Sequence, residues 1–160
     1  MTIDAELACP MPSSSDAPDD GVLVDLLARA RTVAVVGASP RADRTSHQIA
    51  LWLMDHTDYE VYLVNPAAGD TEIRGHAFYD SLADLPVEPD IVDIFRRSEH
   101  VPPVVDEAID VGAPIVWMQL GIRHAAAAAA ASTAGATVVQ NRCLKVEYAR
   151  LADRIAAARR

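Results

Sequence analysis

Residues 32 to 47 read Thr-Val-Ala-Val-Val-Gly-Ala-Ser-Pro-Arg-Ala-Asp-Arg-Thr-Ser-His, an apolar run that stops at Gly37 and turns into small residues and arginines. The chemistry such a stretch supports is anion capture. Gly37, Ala38 and Ser39 lack the bulk that would hold a phosphate away from the backbone N–H groups. Thr45 or Ser46 would cap a following helix whose positive dipole end faces the same point. Arg41, Arg44, Arg96 and Arg97 offer the cations that several phosphate charges need. The pattern predicts a nucleotide-like ligand.

The turn is Gly-Ala-Ser-Pro-Arg and not the three-glycine fingerprint of dinucleotide enzymes. At the end of the second apolar run, where a NAD-binding domain offers an acid to the ribose hydroxyls, this chain has Asn65 and Pro66. NAD is therefore disfavoured, and a triply phosphorylated nucleotide such as coenzyme A matches the arginines better. His47, His56, His76, His100 and His124 have no metal-ligand spacing, so no metal site is expected. No nucleophile, base and orienting group fall together either, so no catalytic residues are expected. Cys143 reads as a small buried residue, with a mixed disulfide to a ligand thiol as the alternative.

The elements that must position these residues follow from periodicity. Five short runs rich in Val and Ile, Thr32–Val36, Glu60–Val64, Ile91–Phe95, Pro114–Met118 and Ala136–Val139, are nearly continuous rather than alternating, as in strands covered on both faces. Helical spacing marks 20 to 30, Ser46–His56, Val101–Val111, the stretch His124–Ala134 with its seven consecutive alanines, and a last segment with Leu144, Tyr148, Leu151 and Ile155 on one stripe. Residues 66 to 90 break the alternation, with room for a short extra strand near Ile73 and a helical turn near Ser81. The fold class is α/β: a Rossmann-like, doubly wound, five-stranded, mainly parallel sheet with helices on both faces. Residues 1–19, rich in Pro, Ser and acids, read as a flexible tail, and residues 20–160 as one domain.

A doubly wound sheet binds at the carboxyl ends of its strands. That rule brings together Gly37–Ser39, Asn65 and Pro66, Phe95–Arg97, the loop after Trp117 with Gln119 and Gly121, and Asn141–Cys143. Trp117 reads as core. One of Arg96 and Arg97 is expected in the groove, the other in an ion pair with Glu99 or Asp93. The net charge of −9 argues against nucleic acid, and no stretch reaches membrane-spanning length. Two cysteines and no secretory leader point to a cytoplasmic address.

Five motifs in order, Val-Val-Gly-Ala-Ser-Pro with Arg44 behind it, Val-Asn-Pro at 64–66, Asp-Ile-Phe-Arg-Arg at 93–97, Trp-Met-Gln-Leu-Gly at 117–121 and Arg-Cys-Leu-Lys-Val-Glu at 142–147, give the chain its family likeness. It resembles the small stand-alone CoA-binding domain proteins related to the CoA-binding domain of the succinyl-CoA synthetase alpha subunit. The resemblance implies that Gly37, Ala38, Ser39, Arg44 and Ser46 meet the phosphates, that Asn65 and Pro66 border the adenosine, and that Phe95, Arg96 and Arg97 line the groove with Gln119 and Gly121. The larger relatives often carry a lysine after the Asn-Pro pair, where this chain has Ala67. Because the chain ends before a second domain, the expectation is binding of CoA or an acyl-CoA without ligation chemistry. The alternatives are a nicotinamide-dependent oxidoreductase, a detached subunit of an ADP-forming acyl-CoA ligase with a partner subunit, or an interaction module; a homodimer is compatible with each.

Overall fold

The computed structural model describes residues 16–160. The expected flexible tail therefore lies, through residue 15, outside the described residues, as does Cys9. Asp16 is buried, pairs with Arg123, and accepts the Gln140 N–H at 2.7 Å through its carbonyl. The ordered region thus reaches back to Asp16, because a carboxylate with a guanidinium partner can be buried where a bare one cannot.

Among the described residues five α-helices, α1 (Asp20–Arg29), α2 (Thr45–His56), α3 (Val101–Asp110), α4 (Ala125–Thr133) and α5 (Leu144–Arg159), accompany strands β1 (Thr32–Val36), β2 (Glu60–Val64), β3 (Glu72–Ile73), β4 (His76–Tyr79), β5 (Ile91–Ile94), β6 (Ile115–Met118) and β7 (Thr137–Val139). The sheet has seven strands in the order β3-β4-β2-β1-β5-β6-β7, not the expected five. The two additional strands form a hairpin, antiparallel within itself, whose β4 adds parallel to β2. Arg74 and Gly75 both have positive φ, +50° and +79°, the backbone of a two-residue hairpin turn. The other neighbouring pairs are parallel, so the six-strand parallel part is doubly wound.

All five residues of β1 are buried, as a central strand covered on both faces requires. Val33 and Val35, with Ile91 and Trp117 beside them, face a core built by α1, α2 and α5. Ala34 and Val36, with Val92, Ile94 and Met118, face α3 and α4. Asp19 caps α1, accepting the Val22 N–H at 3.0 Å. At its other end the Leu27 carbonyl accepts the Tyr59 hydroxyl at 2.5 Å, and Arg159 of α5 donates to Ala28 at 3.1 Å. The exposed carbonyl end of α1 is thereby closed by a cation from the last helix. In α4 the alanine run buries only Ala127 and Ala131, and His124 Nδ1 accepts the Ala127 N–H at 3.1 Å as its cap.

Leu27 is fully buried where α1 meets the sheet. Leu27→Ala is expected to cost about 2–5 kcal/mol of stability, read from the midpoint of urea unfolding with an unchanged slope.

Candidate functional site

The chain leaves β1 toward α2 and β2, and leaves β5 toward α3 and β6 on the opposite side, so the connections that follow the paired ends of β1 and β5 part and leave a crevice. Its floor is the turn after β1. Gly37 has φ +88°, and a Cβ placed on it would lie 2.5 Å from the Phe95 carbonyl oxygen. Only glycine lets the two strand ends approach this closely. The Gly37 N–H donates to the Val64 carbonyl at 2.8 Å and the Phe95 N–H to the Val36 carbonyl at 2.8 Å, which ties β1, β2 and β5 together at one level.

The anion donors differ from those expected. Gly37 and Ser39 have already committed their N–H groups, to Val64 and to the Ser46 Oγ at 3.0 Å. Of the three, Ala38 alone has an N–H with no partner among the described residues. Neither Thr45 nor Ser46 caps α2: the cap position is Arg44, whose side chain makes no capping bond. The buried Ser46 hydroxyl serves the preceding turn instead, leaving the N–H groups of Thr45, Ser46 and His47 unbonded at the helix start. His47 Nδ1 lies 2.9 Å from the Ser39 carbonyl, so that nitrogen carries the proton and fixes the turn from outside. Asn65 acts likewise from β2: its amide donates to the Ala38 carbonyl at 2.9 Å and accepts the Ala67 N–H at 3.0 Å. Pro66 is exposed beside it.

Arg44 is exposed and forms no ion pair with a described residue, whereas Arg41 pairs with Asp43 at 3.1 Å. Arg96 and Arg97, one of which was expected to pair with Glu99 or Asp93, make no such pair among the described residues. Both line a depression of about 430 Å³ with Phe95, Ser98, Leu120, Gly121 and Ile122. Gly121 is fixed on its rim by donating to the Asn141 side chain at 2.7 Å. Trp117 is core, as expected, and donates from Nε1 to the Arg142 carbonyl at 2.8 Å. Cys143 is half-buried at the start of α5.

Gln119 does not face the groove. It is buried, and its amide donates to Asp93 Oδ1 at 2.8 Å. Asp93 itself is completely buried, with no partner for Oδ2 among the described residues. Burial pushes its carboxyl up to about 7, against the downward pull of the Gln119 bond. Sequence reasoning treated Asp93 as a surface partner for arginine; the signal that it is internal is its place inside Ile91–Ile94, an otherwise apolar strand.

A family model described as a CoA binding domain matches residues 31–149. The uncharacterized protein YneT of Bacillus subtilis is 36% identical over 132 residues, covering 82% of this chain and 96% of that protein. The alpha subunit of an ADP-forming acetate–CoA ligase of Pyrococcus furiosus is 32% identical over 97 residues, 58% of this chain but 21% of the subunit. Among solved structures, a hypothetical protein from Pyrococcus horikoshii superposes with a TM-score of 0.80 at 34% identity, covering 86% of this chain and 94% of that one.

Gly37→Ala is expected to destabilise the protein by roughly 2–4 kcal/mol in thermal unfolding, from left-handed strain plus overpacking; an unchanged melting temperature would contradict the close contact with Phe95. For Asp93 the sign follows from its raised folded value against the ordinary 3.8 of a free aspartate. The native state holds a proton that the unfolded chain releases, so stability falls as pH rises from about 4 and the loss is complete above about 7, amounting to up to about 4 kcal/mol. Asp93→Asn should flatten that slope, as measured by denaturation across the same range.

Proposed function

The chain belongs to the CoA binding domain family, and from that premise we propose that it binds coenzyme A or an acyl-CoA in the crevice between β1 and β5 without catalysing a reaction of its own. The observation that carries this reading is the meeting of two features at one place. The family match spans the entire β1–α2 turn, and that turn combines a glycine with no room for a side chain and a helix start whose first N–H groups are uncapped. Backbone donors of this kind and a positive helix end suit a diphosphate.

In the proposed complex the diphosphate lies over the Ala38 N–H and the first turn of α2, with the Ser46 hydroxyl proton and Arg44 as further donors. Adenosine runs toward Asn65 and Pro66 at the end of β2, and the pantetheine end crosses toward Phe95, Arg96 and Arg97. The groups left available are N–H donors and guanidinium groups, which bind and orient but do not exchange protons at neutral pH. The net charge of −9 opposes a polyanionic ligand at long range, so binding depends on this local cluster and weakens as salt screens it.

The likeness to a ligase alpha subunit supports a second reading, in which the chain presents CoA to a catalytic partner subunit. Copurification with a larger ligase subunit would favour it. Neither reading requires a bilayer, and no helix among the described residues is long and apolar enough to cross a membrane.

Isothermal titration of the purified protein with CoA and acetyl-CoA should give saturable heat, and no heat at high micromolar ligand would refute the proposal. Arg44→Ala should weaken binding by about ten- to a hundredfold and reduce its dependence on salt. Unchanged affinity would remove Arg44 from the phosphate site.

A further inference from the structure

Asp93 puts a carboxyl inside the sheet without a countercharge. It stands in register between Val35 of β1 and Trp117 of β6, both completely buried, and its side chain shares their face. Among the described residues the other buried acids, Asp16 and Glu147, each have a guanidinium partner. Asp93 has one amide bond, from Gln119, and a second oxygen with none.

Both walls of the depression beside the crevice depend on this pair. Phe95 follows Asp93 by two residues, and Gln119 opens the facing loop, donating from its N–H to the Ile94 carbonyl at 3.3 Å and accepting the Ile122 N–H at 2.9 Å. A neutral carboxyl is compatible with that arrangement, Oδ1 accepting from Gln119. An ionised one in this dry position has to be solvated, at the expense of the packing around Gln119, the group bonded to it.

We propose that Asp93 is a positioning residue that remains a neutral acid while the crevice holds its ligand, and that release of its proton to solvent opens the Gln119–Ile122 wall and lowers affinity on the alkaline side of neutrality. The ligand in this statement rests on the CoA reading. The value near 7 toward which burial moves Asp93 agrees with the geometry. On the helices covering the same face the titratable groups are Asp20, Asp25 and Arg29 of α1, the last two paired with each other, His47, Asp55 and His56 of α2, and Lys145, Glu147, Tyr148, Arg150, Asp153, Arg154 and Arg159 of α5, with Arg142 just before it. Asp20, Glu147, Arg142, Arg150 and Arg154 engage one another, Asp55 pairs with Arg74, Arg159 with Asp58, His47 faces the Ser39 carbonyl, and His56 and Lys145 lie against Trp52. None of them contributes to the shift at Asp93, which comes from burial and the Gln119 bond.

The test is the affinity for acetyl-CoA, whose thioester has no titrating thiol, measured calorimetrically from about pH 6 to about pH 8.5 for the natural protein and Asp93→Asn. Proton equilibria of the ligand are common to both proteins, so the difference between the two profiles belongs to Asp93. The natural protein is expected to lose about tenfold or more relative to Asp93→Asn across that range; parallel profiles would overturn the proposal. If Asp93→Asn does not fold, Gln119→Met replaces it. Removing the bond that favours the charged form should move the fall in affinity to higher pH, and an unmoved fall would overturn the proposal. Infrared spectroscopy supplies a readout free of ligand: a protonated carboxyl band that fades through neutrality supports the proposal, and its absence at pH 6 contradicts it. Failure of both proteins to bind at every pH would refute the CoA reading, while the infrared band still decides the protonation of Asp93.

Discussion

The close passage of Gly37 against the Phe95 carbonyl is the constraint on which the rest of the site depends. A Cβ at Gly37 would come within 2.5 Å of that oxygen. Because it does not have one, β1 and β5 stay paired to their ends, and the chain can turn sharply away from both. The crevice is the space that opens where the connections after the two strands diverge. Every group placed around it, the turn, the start of α2 and the Phe95–Ser98 wall, takes its position from that contact.

Small polar side chains then hold what the backbone alone would leave loose. Ser46 supports Ser39, Asn65 supports Ala38 and Ala67, His47 reaches the Ser39 carbonyl, and Asn141 holds Gly121. These bonds hold the loops and leave the first-turn donors of α2 unused. A site assembled in this way is preorganised, and binding then spends little on ordering the protein. The chain separates its charges to the same effect: acids dominate overall, while Arg44, Arg96 and Arg97 are free of described partners at the strand ends.

Much of the architecture was legible in sequence because burial on both faces leaves a simple trace. The run Thr32–Val36 is apolar nearly throughout because all five residues are buried, and the helices carry their stripes at the expected spacing. The hairpin of β3 and β4 was legible only in part. The short strand expected near Ile73 is β3, but its partner β4 was not expected, because Arg74 in the turn between them takes a positive φ that sequence assigns to Gly or Asn. The cap of α2 was misread for a related reason: Ser46 has capping chemistry, but the turn before it needed the same hydroxyl. Asp93 was placed on the surface because acids are nearly always there, and the amide that permits its burial lies 26 positions away in the chain. Pairing between distant polar groups leaves no local pattern to find.

The central claim is that the diphosphate of CoA rests on the turn after β1 and the first turn of α2. A crystal structure of the protein with CoA bound tests it most directly. Phosphate oxygens are expected within hydrogen-bonding distance of the Ala38 N–H and of N–H groups in the first turn of α2, with Arg44 turned toward them. A diphosphate bound elsewhere, or one held by side chains with those N–H groups left unbonded, would contradict it.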